Sequence, residues 1–383
     1  MSFSIGIVGL PNVGKSTLFK ALTKKEVEIA VFPFTTISPN IGIVSVPDER
    51  LEKIAKIANF EKITKTFIKF IDIAGLVKNA YKGEGLGNQF LSHINECDGI
   101  LEILRCFEDP KIEHIEKNID PQRDIKIVEN ELIMKDLKVL ENAIISLEKK
   151  EKSGEKELLK KLTLLKKIKE GFLKEKKILD LNLTEEEKDL IKEFQFLTIK
   201  PIVYVFNVKG EKEIKIKGFT PLEVNEPKKE HKESKPLTGF TPSILLDLKI
   251  EEEISEMTPA DLKELNLKSS LDQLILACYN SLDLITFYTI RGLKEAKAWT
   301  LKKGKSVLEA AGKVHSDFKE KFIKAEVINW KKLVAASDKL SEASLAPSGR
   351  ETGSWNKAKE MGLIQTVGKE YEVKNGEVIE FKI

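Results

Sequence analysis

Residues 9–16 read Gly-Leu-Pro-Asn-Val-Gly-Lys-Ser, a glycine-framed loop that ends in a lysine and a hydroxyl. An apolar, β-branched run at 3–8 precedes it, and a helical pattern at 15–22 follows. Glycines there let backbone N–H groups converge on anionic oxygens with no Cβ in the way, and a helix start adds partial positive charge. Strand, loop and helix in that order predict a phosphate cradle built from Gly9, Pro11, Asn12, Val13, Gly14, Lys15, Ser16 and Thr17. Lys15 would bridge the β- and γ-phosphates of a nucleoside triphosphate during transfer, and Ser16 would ligate Mg²⁺.

Further along, Asp72-Ile73-Ala74-Gly75 closes a strand-like run at 67–73. Behind a strand and downstream of the loop, Asp72 would hold Mg²⁺ through water and the Gly75 N–H would sense the γ-phosphate. Thr35 and Thr36 lie between the first helix and the second strand, where a hydroxyl can complete the Mg²⁺ shell. Residues Gly83, Gly85 and Gly87 crowd one short stretch and predict a segment that orders with γ-phosphate. Leu76 occupies the position where many nucleotide hydrolases carry a water-orienting glutamine. A leucine cannot orient water, so slow intrinsic turnover is expected, with the water placed by another group.

The elements that must position these residues are legible in outline. Short β-branched runs at 3–8, 41–46, 67–73, 100–105, 201–207 and 243–248 alternate with helical patterns. That alternation predicts an α/β domain: a mostly parallel sheet with helices on both faces, its ligand at the carboxyl ends of the strands. From 125 to 196 the texture becomes Lys/Glu/Leu-rich. Ile133, Leu137, Leu140, Ile144 and Leu147 form a heptad seam, and Lys152-Ser153-Gly154 reads as a turn, so an inserted helical hairpin is expected. Residues 209–242 are polar and proline-punctuated, a surface loop. From 281 to 383 the pattern is that of a small α+β module, with strands at 284–290, 296–301, 322–328 and 378–381, a helix at 306–312, a loop at 337–354 and a hairpin turn at Asn375-Gly376.

The bulk composition excludes several classes. Of 383 residues, 64 are basic and 61 acidic, so any nucleic-acid surface must be local. Three cysteines, Cys97, Cys106 and Cys278, show no paired metal spacing and fit reduced thiols in a cytoplasmic protein. No apolar stretch has the length of a membrane span. Lys294, Lys297, Lys302, Lys303 and Lys305 gather around Trp299, a pattern suited to RNA backbone contact and stacking, although Glu295 and Glu309 interleave.

The loop 9–17 together with Phe32-Pro-Phe-Thr-Thr-Ile-Ser-Pro-Asn40 resembles the Obg-related translation-factor GTPases. Asp72-Ile-Ala-Gly-Leu-Val-Lys, Gly83-Glu-Gly-Leu-Gly-Asn-Gln-Phe-Leu, Arg105-Cys-Phe-Glu-Asp and Phe322-Ile-Lys-Ala-Glu-Val-Ile narrow the resemblance to the YchF subfamily, over nearly the whole chain. The resemblance implies an OBG-type G domain over 1–280, with the helical insertion at 125–196 and the polar loop at 209–242. It also implies a TGS domain, a ubiquitin-like β-grasp module, over 281–383. It further implies hydrolysis of ATP and GTP, usually favouring ATP, and association with ribosomes. Thr36 is then the Mg²⁺-completing threonine and His114 the candidate water-orienting group. Asn12 matches an asparagine that some related enzymes use to bind K⁺.

Guanine is commonly read by Asn-Lys-x-Asp, whose carboxylate accepts two hydrogen bonds from the base edge. Here the matching residues are Asn207-Val208-Lys209-Gly210, and the carboxylate is gone. Its loss would leave buried guanine N–H groups unpaired. Glu211 could replace it only after a one-residue shift. Asn207 and Val208 remain as base or loop contacts, and Lys249 in Asp247-Leu248-Lys249 can pack over the base plane. ATP is therefore favoured over GTP. The overall expectation is a monomeric, cytoplasmic NTPase working on the ribosome, through its RNA or protein. The alternatives are a nucleotide-gated ribosome- or RNA-binding switch with incidental hydrolysis, and a strict Obg-type GTPase.

Overall fold

The computed structural model describes residues 3–24, 40–58, 60, 62–73, 86–150, 156–210, 243–290, 295–343 and 353–383. The strands among them are β1 (Ser4–Val8), β2 (Ile41–Ser45), β3 (Lys62–Thr64), β4 (Phe67–Asp72), β5 (Gly99–Arg105), β6 (Ile202–Asn207), β7 (Ser243–Leu246), β8 (Leu284–Thr289), β9 (Glu295–Lys302), β10 (Lys324–Asn329), β11 (Gln365–Val367) and β12 (Glu377–Lys382). They belong to two compact units, Met1–Val44 with Ile68–Ser281, and Ser45–Phe67 with Leu282–Ile383.

The first unit is an α/β domain on a six-stranded sheet of order β2-β4-β1-β5-β6-β7. β1 runs parallel to both β4 and β5, and the parallel pairing continues through β6 to β7. Every residue of β1, β5 and β6 is buried, the signature of a sheet covered on both faces. Its cover includes the helices Lys15–Lys24, Pro121–Lys150 and Leu271–Ser281. Because β1 lies between β4 and β5, the chain leaves it at a point where the strand order reverses, which opens a crevice at the carboxyl ends.

The helical insertion is present as the pair Pro121–Lys150 and Lys156–Leu173. Ile133, Leu140 and Ile144 of the expected seam are buried against Leu162, Leu165 and Ile168, with Leu137 and Leu147 partly buried beside them. The first helix starts earlier than expected. Ile125, Val128 and Leu132 are buried too, and this end of the helix packs on β5. Asp136 anchors the return of the chain: its buried carboxylate accepts from the N–H groups of Leu197 and Thr198 and from the Thr198 hydroxyl. The turn expected at 152–154 and the loop at 211–242 lie outside the described residues. Among the described residues no helix is long and apolar enough to cross a membrane.

The second unit is a six-stranded mixed sheet of order β11-β10-β12-β8-β9-β3. Residues 45–67, read from the sequence as part of the nucleotide domain, pack in this unit. β3 adds in parallel to the edge of β9. The helix Glu49–Ala58 buries Leu51, Ile54 and Ala55 in one cluster with Tyr288, Ala296, Leu333 and Val378. Asp48 accepts from the Tyr288 hydroxyl at 2.5 Å, and Arg50 reaches the Asn375 side chain at 3.0 Å.

Two local expectations are corrected in this unit. Asn375-Gly376 is a turn, with Gly376 at φ 86°, but not a hairpin. Glu372 makes only an isolated bridge to Ser306, while Gly376 donates its N–H to Thr286 and Asn375 Oδ1 accepts from the Thr286 N–H. The turn thus serves β8, and β12 pairs with β10 and β8 instead. The loop expected at 337–354 is helical where it is described, at 337–343 within Trp330–Ala343 and at 353–354 within Gly353–Glu360, and 344–352 lie outside the described residues. Leu333, Ala336, Trp355 and Ala358, just outside that stretch, supply the apolar face of the two helices.

Candidate nucleotide site

The glycine-rich loop follows β1 and leads into the helix Lys15–Lys24, whose Leu18, Ala21 and Leu22 are buried. Two of its glycines are dictated by close approach. A Cβ on Gly9 would lie 2.6 Å from the Ile103 carbonyl oxygen, and one on Gly14 would lie 2.7 Å from Asn207 Nδ2. Both also hold φ in the left-handed half of the map, 149° and 107°. Asn12 sits at φ 64°, a conformation that asparagine tolerates better than most residues.

The Lys15 ammonium folds back over the loop and donates to the carbonyl oxygens of Gly9 at 3.1 Å and Leu10 at 2.8 Å. Burial lowers its pKa to about 8, against the pull of the Asp72 carboxylate. Asp72 ends β4 in register with Ile7, so the parallel pairing of β1 and β4 sets it beside the start of the loop. Burial raises its pKa, while Lys15 and a hydrogen bond from the Ser16 hydroxyl oppose the rise. Lys15, Ser16 and Asp72 thus form one cluster of a cation, a hydroxyl and a carboxylate at the carboxyl end of the sheet. Thr35, Thr36, Gly75, Leu76 and Gly83 lie outside the described residues. Gly87, expected in a phosphate-dependent segment, falls inside the helix Leu86–Asn95.

The base-reading end is held differently from the expectation. Asn207 is buried, its Nδ2 donating to the Val13 carbonyl at 2.9 Å and its Oδ1 accepting from the Leu248 N–H at 3.2 Å. Its amide ties the phosphate loop to the base-side loop, with both ends engaged. Val208 is buried and Lys249 is exposed. Asp247 caps the helix Leu248–Ile254 through the N–H groups of Lys249 and Ile250. Its second oxygen accepts from the Gly210 N–H at 2.8 Å. A carboxylate just ahead of Leu248-Lys249-Ile250 was the legible cap signal.

The loop 106–120 lies against the phosphate loop, since Asn12 Nδ2 donates to the Glu113 carbonyl at 3.2 Å. The Asn12 amide nitrogen therefore holds a protein carbonyl here. His114, the next residue, is turned inward and is 4 % exposed. Its Nδ1 accepts from the Glu116 N–H, and its Nε2 faces Asp124 Oδ2 at 3.0 Å, off the line of a good hydrogen bond. The other Asp124 oxygen takes Arg123. In this conformation the imidazole pins the loop to the helix Pro121–Lys150 and is not presented to a nucleotide, contrary to the expected water-orienting placement. Arg105, at the end of β5, is 2 % exposed and braces the same loop by donating to the Phe107 carbonyl at 3.0 Å.

Comparison with known proteins agrees with this architecture along the whole chain. A family model described as 50S ribosome-binding GTPase matches residues 4–143. The carboxy-terminal model of YchF GTPases, described as a protein of unknown function, matches residues 284–383. The chain is similar to the ribosome-binding ATPase YchF of Mycoplasma genitalium, at 43 % identity over 99 % of this chain and 98 % of that protein. It is similar to the Bacillus subtilis protein of the same name at 41 %, over 100 % and 99 %. Among solved structures, the YchF GTPase of Schizosaccharomyces pombe superposes with a TM-score of 0.79 at 29 % identity, covering 100 % of this chain and 98 % of that one. With relatives this similar from end to end, the chain belongs to the YchF family.

Proposed function

We propose that this chain hydrolyses nucleoside triphosphates, ATP in preference to GTP, in a cycle coupled to the ribosome. The observation that carries the reading is the cluster of Lys15, Ser16 and Asp72 at the carboxyl end of β1 and β4. Phosphate oxygens would replace the Gly9 and Leu10 carbonyls as acceptors for Lys15. The ammonium would then neutralise charge as it develops between the β- and γ-phosphates.

The oxygen donors Ser16 and Asp72, already joined by a hydrogen bond, fit Mg²⁺, a hard cation that takes oxygen ligands. Ser16 would hold it directly and Asp72 through water, with Thr36 completing the shell. When bound, Mg²⁺ supplies charge neutralisation across the phosphates. K⁺ beside Asn12 would require the amide to release the Glu113 carbonyl.

ATP preference is supported by Gly210, which offers no carboxylate, and by Asp247, whose two oxygens both serve backbone N–H groups. Use of His114 in hydrolysis would require the 106–120 loop to give up the buried contact with Asp124. Together with Leu76, this accounts for slow intrinsic turnover and leaves room for a partner to accelerate it. The name of the relatives, ribosome-binding ATPase, supports the ribosome as that partner. The module at 281–383 would act as a TGS domain, in a cytoplasmic monomer.

The test is equilibrium binding of ATP and GTP with Mg²⁺, then turnover of each with and without ribosomes. Tighter ATP binding and ribosome-stimulated turnover are expected. Preferential GTP binding would move the protein to the strict GTPases. Ribosome binding that follows nucleotide occupancy, with turnover unchanged, would make hydrolysis incidental to a binding switch, the reading favoured by the inward His114.

A further inference from the structure

The Asp247 carboxylate does two separate things. Its Oδ1 accepts the N–H groups of Lys249 at 3.1 Å and Ile250 at 3.2 Å, which caps the helix Leu248–Ile254. Its Oδ2 accepts the N–H of Gly210 at 2.8 Å, just past the end of β6. Gly210 holds φ 72°, and a Cβ there would meet nothing within 4 Å, so the glycine serves the turn of the chain rather than clearing space. Residues 207–210 are therefore clamped at both ends, by the Asn207 amide on Val13 and Leu248 and by Asp247 on Gly210.

We propose that Asp247 is a positioning residue that determines base specificity: by fixing Gly210 it sets the main-chain groups of 207–210 against the nucleobase. The inference rests on the nucleotide reading above. With glycine at 210, no side-chain carboxylate meets the base there. Asp247 Oδ1 already accepts two backbone N–H groups and Oδ2 one, so the carboxylate cannot offer both oxygens to the paired N1–H and N2–H₂ groups of guanine. Among the described residues, discrimination then falls to main-chain N–H and C=O groups, which are selective only while their directions are held. A loose loop turns to suit either base, whereas a clamped one leaves mismatched groups unpaired. A bond from a backbone N–H to a carboxylate is about twice as strong as a neutral one, which suits it to the clamp.

Asp247→Ser and Asp247→Asn separate the two jobs. Each keeps an oxygen that can cap the helix. Neither offers the second carboxylate oxygen to Gly210. Affinities for ATP, GTP and inorganic tripolyphosphate are measured on the full chain with Mg²⁺, with thermal unfolding as a check on folding. The ratio of ATP to GTP affinity should fall about tenfold in both variants, the loss expected for one charge-assisted hydrogen bond. Tripolyphosphate, which lacks a base, should bind all three proteins alike. A ratio unchanged in either folded variant overturns the proposal, and so does a parent ratio near one. If the parent binds neither nucleotide nor tripolyphosphate, the nucleotide reading itself fails, an outcome distinct from a lost base preference.

Discussion

Asn207→Ala should weaken the fold and the binding of every nucleotide by the same mechanism. The side chain is 5 % exposed and joins two buried segments, donating to Val13 and accepting from Leu248. Truncation leaves a backbone carbonyl and a backbone N–H without partners, at about 1–3 kcal/mol each. With some rehydration from the open side of the loop, the sum is about 3 kcal/mol of unfolding free energy. Urea unfolding reads this as a lower midpoint at unchanged slope. The phosphate loop loses its brace beside Gly14, so ATP and GTP should each bind about tenfold or more weakly, and with one end of 207–210 released the ATP preference should narrow. Asn207→Asp keeps the acceptor for Leu248 but sets a carboxylate against the Val13 carbonyl, and should be no milder. Stability within about 0.5 kcal/mol of the parent would refute the reasoning. So would an undiminished affinity for either nucleotide.

Two further outcomes follow from the site. Because burial lowers the Lys15 pKa to about 8 from 10.5, the folded, ligand-free chain holds fewer protons than the unfolded chain between those values. Its stability should rise across that window, since the charged amine opposes folding most strongly below it. Phosphate oxygens favour the charged amine, so ATP binding near pH 9 should take up a fraction of a proton, read by calorimetry in buffers of different ionisation enthalpy. No uptake there would contradict the Lys15–phosphate contact. His114→Ala removes the acceptor of the Glu116 N–H and the buried contact with Asp124, and should cost about 1–3 kcal/mol of stability. If the imidazole also swings out to orient water, kcat falls while ATP affinity holds. An unchanged kcat would confine His114 to pinning the loop.

The cluster of Lys15, Ser16 and Asp72 was legible because each residue sits in a short motif at a strand end, and a parallel sheet brings strand ends together. Runs of β-branched residues likewise found the core strands of the first sheet, whose buried stretches are continuous and mostly apolar. What the sequence concealed is pairing at a distance. Residues 45–67 have the same local texture as the strands and helices around them. Only the match of Leu51, Ile54 and Ala55 to a surface built by residues beyond 284 assigns them to the second sheet. β3 and β11 are too short to carry a period. His114 was readable as a histidine on a loop, but nothing in its neighbours' types says that Asp124, at a helix start, would draw the ring inward.

The base-side loops show why a motif read residue by residue can mislead. In Asn-Lys-x-Asp and its relatives each side chain is taken as a contact to the base, so Gly210 reads as a loss. In the structure, Asn207 spends its amide on Val13 and Leu248, and Asp247 spends its carboxylate on Gly210 and on a helix end. The polar groups that a sequence reader would aim at the ligand are holding the backbone that meets it. Glycine at 210 and aspartate at 247 are then parts of one device. The glycine permits the φ of 72° that turns its N–H toward Asp247, and the carboxylate supplies the acceptor that makes the turn worth holding. Selectivity in such a site is a property of a clamped main chain, and it should respond to mutations at the clamp more sharply than to changes at the exposed Lys249.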